Sequence, residues 1–451
     1  MKIIVCGAGN VGRSIVSYLV LGNNDIVVID SDSASLNAIA KEFDIQPVLG
    51  TSSHPEVLEK AGAADADMLI AATGVDEVNM ITCEVAASVF NIPKKIARID
   101  NQDFLNPLWG GLFGDKKIPI DLIISPETEI AKAIDALLKH PGMTAATPLF
   151  GRKLQMLAFR CRPQMDTQNM SVMQMEHILP EAQLKVFCII RNDNSFIPAP
   201  EYKIQSGDVV YFLTPTTDLD NVIHNLGLEK SAVEKVVIFG GNAISGYLAS
   251  NLEKDDNILS CRIIEDNRDN ARYLARILKN TAVINGDMMS DVILEEAGIS
   301  SCDAAIAVTP HDKDNLLISL LSKQHNIPLS ISLVNASSYN TFIENINSVI
   351  VDRSAVIISS MLQELRKARI IDAYSLGHNF GEVWEVTVSD ENPCIGEKIT
   401  DIDMPTASQI CALCRKDELI FPNPHTVLEA GDKLIVFIGA KGIKKAEKIF
   451  A

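Results

Sequence analysis

The sequence predicts an α/β protein made of two Rossmann-type parallel-sheet domains, each followed by a small α+β domain rich in β-strand. Three observations carry that expectation. A short apolar strand runs into a glycine-rich turn and a helix at the very start of the chain. Strand-like and helix-like apolar patterns then alternate. Finally, the whole pattern occurs twice in 451 residues, a length that suggests roughly three to four domains at ~100–200 residues each.

The opening reads Ile3-Ile4-Val5-Cys6-Gly7-Ala8-Gly9-Asn10-Val11-Gly12. This is G-x-G-x-x-G in its full context, after a strand and before a helix. Gly7 permits the tight turn, Gly9 lets the backbone approach a pyrophosphate, and Gly12 allows close packing of helix on strand. Ala8, Asn10 and Val11 complete the loop, whose N–H groups face an anion at the helix N-terminus. The next strand ends in Asp30, where an acid can accept hydrogen bonds from both ribose hydroxyls and repel a 2′-phosphate. The residues therefore favour NAD(H), or another nucleotide with a free ribose, over NADP(H).

Beyond this turn the first copy reads as strands 2–6, 26–30, 46–49, 67–72 and 95–99, with helices 11–21, 33–42, 54–61 and 78–90. Alternation of this kind predicts right-handed crossovers and a parallel sheet covered on both faces. The segment 67–73 is continuously apolar, as a doubly buried strand requires. Gly50, Thr51, Ala72 and Thr73 fall at carboxyl ends of strands, where open α/β sheets bind ligands. Arg98 interrupts an otherwise apolar segment. It either reaches a phosphate or carboxylate across the crevice, or is a surface or ion-paired arginine on an edge strand.

The repeat is visible directly. The stretch from Gly50, GTSSHPEVLEKAGAADADMLIAAT, is matched from Gly286 by GDMMSDVILEEAGISSCDAAIAVT. Each continues through an acid-rich turn to a helix containing Asn79 or Asn315, then to NIPKKIARI or NIPLSISLV. A fainter pair follows: Gly207-Asp208 and Gly431-Asp432 each precede a short apolar strand. The chain thus divides into about 1–140, 141–230, 231–370 and 371–451. In the second copy the glycine positions become Gly240, Asn242 and Ser245, with Gly241 beside them and Glu265 as the acid. Asn242 places a side chain where a phosphate would approach. The counterpart of Arg98 falls near Ile331 or Ser332, so that cation is absent. The second crevice either binds a dinucleotide or is structural.

Composition narrows the function. Apolar residues make up 47% and charged residues 22%, enough for packed interiors throughout. Only 5% are aromatic, and the formal charge is −18. Nucleic acid is disfavoured as a partner, because stacking rings are scarce and a phosphate backbone would be repelled. Nine cysteines, an odd number dispersed in apolar runs, point to buried free thiols in reducing cytoplasm. No apolar run approaches the ~20 residues that span a bilayer. In Cys411-Ala412-Leu413-Cys414 a strand would point the two thiols to opposite faces, which suits neither zinc nor redox chemistry. His54 reads as a helix-start residue and His140-Pro141-Gly142 as a helix stop. The apolar stripe of helix 129–138 suits a core face or a dimer face.

No Ser/His/Asp set, metal-ligand cluster or motif-positioned general base is present. A dehydrogenase would follow its cofactor domain with a substrate domain supplying a proton-transfer group. Here a module of only about 85 residues follows, and the arrangement repeats. A duplicated binding unit with one altered fingerprint fits a sensor whose output is a population shift.

The order of units, together with GAGNVG (7–12), VVID (27–30), residues 50–80 and IARI (96–99), resembles the TrkA family of Trk-system potassium-uptake proteins. Their units are regulator-of-potassium-conductance (RCK) domains. The resemblance covers essentially the whole chain. It implies a cytoplasmic protein, peripheral at the inner face of the membrane, that binds NAD(H) and adenine nucleotides such as ATP or ADP. It further implies a homo-oligomeric ring, dimeric or tetrameric, that gates an integral-membrane potassium-translocating subunit. Gly7, Gly9, Val11, Asp30, Thr51, Thr73 and Arg98 would line the first site. Asn242 and Ser245 depart from the glycine-rich second site expected of that family. Two alternatives stay open on the residues alone: an NAD-dependent oxidoreductase, and a regulator of a different cation transporter or antiporter.

Overall fold

The computed structural model describes all residues except 23, 106–110, 115–116, 164, 179–182, 193, 229–230, 336–347, 363–369, 378–379 and 451. Two compact units are present. One contains Met1–Glu129 with a segment beginning at Val356; the other contains Ile130–Ala355 and the C-terminal part of the chain.

In the first unit, strands and helices alternate as β1 (Lys2–Cys6), α1 (Asn10–Leu19), β2 (Asp25–Asp30), α2 (Ser33–Glu42), β3 (Gln46–Leu49), α3 (Pro55–Lys60), β4 (Met68–Ala71), α4 (Asp76–Ser88), β5 (Lys94–Arg98), α5 (Gln102–Leu105) and β6 (Leu122–Ile124). The six parallel strands lie in the order β3-β2-β1-β4-β5-β6, which reverses direction beside β1. That switch point opens a crevice at the strands' carboxyl ends, and the loop after β1 enters it. Ile3, Ile4 and Val5 of β1 are fully buried, each worth about 1.5–3 kcal/mol relative to an exposed side chain. This is why the run is continuously apolar. β6 pairs with β5 through Arg98↔Ile124, so β5 is internal, a correction to the edge-strand reading of Arg98. α6 (Pro126–Lys139) follows β6. Its Ile130, Ile134, Leu137 and Leu138 are buried, so this stripe is a core face within the chain.

The second unit holds three sheets. The first is antiparallel: β7 (Ala145–Leu149), β8 (Leu154–Arg160), β9 (Lys185–Arg191), β10 (Asn194–Phe196) and β11 (Val209–Pro215), with short helices α7 (Val172–Glu176) and α8 (Leu219–Asn225). Its order is β10-β9-β11-β8-β7. Next comes a second six-stranded parallel sheet from β12 (Lys235–Phe239), β13 (Ser260–Glu265), β14 (Ala282–Asn285), β15 (Ala304–Ala307), β16 (Leu329–Val334) and β17 (Val349–Asp352). Its order, β14-β13-β12-β15-β16-β17, reproduces that of the first unit. Its helices are α9 (Ala243–Leu252), α10 (Arg268–Ile277), α11 (Asp291–Glu296) and α12 (Asp312–Gln324). A last antiparallel sheet contains β18 (Ile370–Ser375), β19 (Glu382–Thr387), β20 (Ser408–Arg415), β21 (Glu418–Ile420) and β22 (Lys433–Ile438).

The two antiparallel sheets share one apolar cluster that includes Phe150, Phe187, Cys188, Tyr211, Val383, Cys411, Cys414 and Phe437. The rings of Phe187 and Phe437 lie 5.6 Å apart. A bulge between Ile410 and Ala412 breaks the alternation of β20, so Cys411 and Cys414 join the same cluster rather than facing opposite ways. All nine cysteines are free and buried.

The Gly-Asp pairs also gain a structural reason. Asp208, fully buried, accepts a bidentate pair from Arg191 at 2.6 and 2.7 Å. Asp432 accepts the same from Arg415 at 2.8 and 2.7 Å. Each aspartate also caps its own turn by accepting from Gln205 N or Glu429 N. A buried carboxylate needs this full set of partners.

Candidate functional site

The crevice of the first unit is built from five strand ends. Gly7 has φ +110°, and a Cβ there would lie 2.7 Å from the Ala72 carbonyl oxygen. Only glycine makes that turn. A Cβ on Gly12 would run into the Gly7 carbonyl, so helix and loop touch through backbone alone. Gly9 differs from both. Its φ of −72° and ψ of −170° suit any residue, and a Cβ would meet nothing within 4 Å. Nothing in the protein requires glycine there, so the exposed space in front of it is left for something else.

Gly9 is also the N-cap of α1 and makes no side-chain cap. The N-cap thus supplies no side-chain acceptor to the first N–H groups of α1, an arrangement that, with the helix dipole, suits an anion. Ala8, Val11 and Gly12 are buried, while Asn10 is exposed at the loop's rim.

Asp30, half-buried at the tip of β2, accepts from Ala8 N at 2.6 Å and from Asp32 N at 2.7 Å. It braces the glycine-rich loop through both carboxylate oxygens. Gly50 and half-buried Thr51 follow β3; Gly50 N donates to the Asp30 carbonyl at 2.9 Å. Ala72 is buried and contributes backbone, its carbonyl lying beneath Gly7. Thr73 is half-buried and held by Asn79.

In the sequence Asn79 stands out only as a marker of the repeat. In fact it is fully buried and binds two strand tips together. Its Oδ1 accepts from Thr73 N at 3.0 Å and Thr73 Oγ1 at 2.7 Å. Its Nδ2 donates to the carbonyls of Thr73 at 3.1 Å and Arg98 at 2.9 Å. Asp76 continues the brace by accepting from Asp100 N at 3.1 Å and Asn101 N at 2.8 Å. The recurrence of both residues in the second copy, as Asn315 and Asp312, was the available signal.

Arg98 sits at the far side of the crevice, ion-paired. Its Nε donates to Asp100 Oδ1 at 3.1 Å and its Nη2 to Glu127 Oε1 at 2.8 Å. Burial opposes its charge, but Glu127 and Asp100 more than compensate and hold its pKa above the ordinary value. Burial first, then the neighbouring Asp100, push the Glu127 carboxyl up to about 7 against the pull of Arg98. Arg98 is ion-paired, and Glu127 is a partner that the sequence did not reveal.

The second unit repeats the scaffold with a different loop. Gly240 keeps the positive φ, +102°. Glu265, buried, accepts from Gly241 N and from Asn267 N, as Asp30 does from Ala8 and Asp32. Burial raises the Glu265 pKa, with Asp266 beside it adding to the effect. A Cβ on Gly241 would lie 2.7 Å from Glu265 Cγ, so this glycine serves packing. Asn315 staples Thr309 to the carbonyl of Leu333 at 2.7 Å. That bond identifies Leu333, not Ile331 or Ser332, as the counterpart of Arg98, in the register that the matched NIPKKIARI and NIPLSISLV segments share. Arg98 pairs with Ile124 and Leu333 with Val351, so Ser354 stands where the first unit has Glu127. Both halves of the ion pair are replaced.

The loop itself is closed. Asn242 Oδ1 accepts from Ile244 N at 3.0 Å and Ser245 N at 3.3 Å, and Nδ2 donates to the Val308 carbonyl at 2.6 Å. Ser245 Oγ accepts from Asn242 N at 2.8 Å, completing a capping box. Among the described residues no group of three His, Cys, Asp or Glu side chains could hold a metal ion. No helix among them is long and apolar enough to cross a membrane.

Comparison with known proteins agrees with this architecture. The TrkA-N domain family matches residues 3–126 and 236–371, and the TrkA-C domain family matches 383–451. The Trk system potassium uptake protein TrkA of Azorhizobium caulinodans is 32% identical over 451 residues, covering 100% of this chain and 98% of that protein. The protein of the same name from Halomonas elongata is 33% identical over 456 residues, with the same two coverages. Among solved structures, the GsuK RCK domain aligns over 100% of this chain and 94% of that one, with a TM-score of 0.64 at 16% identity. The GsuK channel bound to NAD aligns over 100% and 78%, with a TM-score of 0.62 at 17% identity; these two show a shared fold. The duplicated parallel sheet, its glycine loop and the full-length likeness converge, and the chain belongs to the Trk system potassium uptake protein TrkA family.

Proposed function

We propose that this chain is the nucleotide-sensing regulatory subunit of a potassium uptake system, and that the crevice of the first unit is its sensor. The observation that carries the reading is Gly9. It is a glycine that the backbone, the packing and the helix do not need, placed before uncapped helix N–H groups and beside the braced carboxylate of Asp30. A pyrophosphate needs that space and those donors, and a ribose needs an acid of that kind. The residues fit NAD(H), or ATP or ADP, with Gly7, Ala8, Gly9, Asn10, Val11 and Gly12 around the phosphates and Asp30 at the ribose. Thr51, Thr73 and Arg98 border the remainder of the crevice. Likeness to the GsuK channel bound to NAD adds support at the level of fold.

In this reading the output is a shift between two conformations, not a reaction. The homo-oligomer, a dimer or a tetrameric ring, couples that shift to an integral-membrane potassium-translocating partner on the cytoplasmic side. A ligand moves such an equilibrium only by its differential affinity for the two states. The relatives named as components of a potassium uptake system support this role over catalysis. Calorimetric titration of the full chain with NADH, NAD⁺, ATP, ADP and NADPH tests the site. Micromolar binding of nucleotides with a free 2′-hydroxyl, at least tenfold tighter than NADPH, is expected. Asp30→Ala should weaken it tenfold or more; full affinity in that variant would refute the assignment. Potassium flux through the reconstituted membrane partner, with and without the chain and nucleotide, tests the coupling.

A further inference from the structure

We infer that Asn242 and Ser245 are the residues that deny the second unit a nucleotide, by occupying with protein atoms the place where a pyrophosphate would sit. The inference deepens the proposed function and rests on the first-unit reading for its reference site. The comparison is internal to one chain. The two N-cap residues have like backbones, φ/ψ −72°/−170° at Gly9 and −124°/−170° at Asn242. They differ in what they offer the helix. Gly9 offers nothing; Asn242 supplies an acceptor to two helix N–H groups and a donor to the end of β15.

An anion at that terminus would have to displace those bonds and expel the amide from a position anchored on both ends. Replacing an acceptor already in place gains little, since the same donors are satisfied before and after. Ser245 locks the arrangement. Its Oγ both accepts from Asn242 N and donates to the Asn242 carbonyl, each at 2.8 Å. It is fully buried, whereas in the first unit any Cβ at the matching Gly12 would meet the Gly7 carbonyl. The second loop therefore follows a path that a serine fits.

The remaining scaffold is intact: Gly240 turns the chain, Glu265 braces Gly241, and Asn315 holds the strand tips. The ionic partner of the first site is missing, with Leu333 in place of Arg98. Reopening the loop should consequently restore a site, but a weaker one.

The test counts bound NADH and, separately, ADP per full-length chain by calorimetry. Wild type should bind one equivalent. Gly9→Asn, sterically free at that position, should install the cap and abolish binding without loss of thermal stability. In the Gly9→Asn background, Asn242→Gly with Ser245→Gly should return one equivalent, about tenfold to a hundredfold weaker than the native site. Asn242→Gly alone, which keeps Ser245, serves if the paired variant unfolds, with circular dichroism monitoring both. Two equivalents bound by wild type would overturn the inference, as would unchanged affinity in Gly9→Asn. Folded variants reopened at 242 that stay empty would overturn it too. If wild type binds nothing, the first-unit reading fails. The inference is then judged by whether opening residue 242 in the wild-type background creates a site: a gain supports it and no gain overturns it.

Discussion

The two glycine-rich loops share a strand before them, a helix after them, a positive-φ glycine at the turn and an acid bracing the loop from the next strand. What separates them is how the first helix N–H groups are satisfied. In the first unit they are left without a side-chain cap; in the second Asn242 caps them. The lesson concerns glycine. Gly7 and Gly12 are demanded by the fold and Gly9 is not, so Gly9 is the one that speaks of a ligand.

The staples are where the two copies should agree most, and where the largest effects are expected. Asn79→Ala and Asn315→Ala each strand three backbone groups, part-buried in the first unit and buried in the second, and should cost about 2–3 kcal/mol. Urea unfolding checks the pair; a loss at only one site would show that the scaffolds have diverged beyond their loops. Gly12→Ser and Ser245→Gly sharpen the contrast from opposite sides. The first should cost about 2 kcal/mol by forcing a Cβ into the Gly7 carbonyl. The second should cost about 1 kcal/mol through loss of the capping box. Thermal melting measures both.

Proton linkage comes next. The folded-state pKa of Glu127 is raised from 4.5 to about 7, so folding favours its protonated form. That contribution is fully present below about pH 4.5 and is lost as pH rises through about 7. Stability of the first unit should thus fall between pH 5 and pH 8, by about 1–2 kcal/mol given the competing Arg98 pair. Glu127→Gln should flatten the profile. The second unit, with Ser354 and Leu333 at those places, lacks this ion pair, and the raised carboxyl at its loop is Glu265 instead. The smallest expected change in stability is that of Gly9→Ala, under about 0.5 kcal/mol by melting, with nucleotide affinity reduced severalfold. A stability loss like that of Gly12→Ser would mean that Gly9 serves the fold after all.

Much of this was legible in the sequence because doubly buried strands and a glycine turn leave local signals. The starts and ends of β1, β3 and α2 fall where the alternating apolar pattern places them. What stayed hidden depends on contacts distant in sequence. β6 has three residues and follows a long connection, so Arg98 looked like an edge residue. Glu127 meets Arg98 only after that strand is in place. The Gly-Asp turns were visible, but Arg191 and Arg415 reach them from neighbouring strands. The bulge at Cys411 leaves no mark in the residue pattern. For Asn79 and Asn315 the signal existed, and only the geometry told what it meant.

The apolar cluster shared by the two antiparallel sheets has a bearing on gene dosage. Because both sheets are encoded in one chain, their meeting does not depend on how many copies a cell makes. Tethering gives them an effective concentration on the order of millimolar, far above that of a scarce protein. A gene truncated after the first half would yield a product with Phe187 and Tyr211 stripped of their cover, prone to stick to itself rather than wait for a mate.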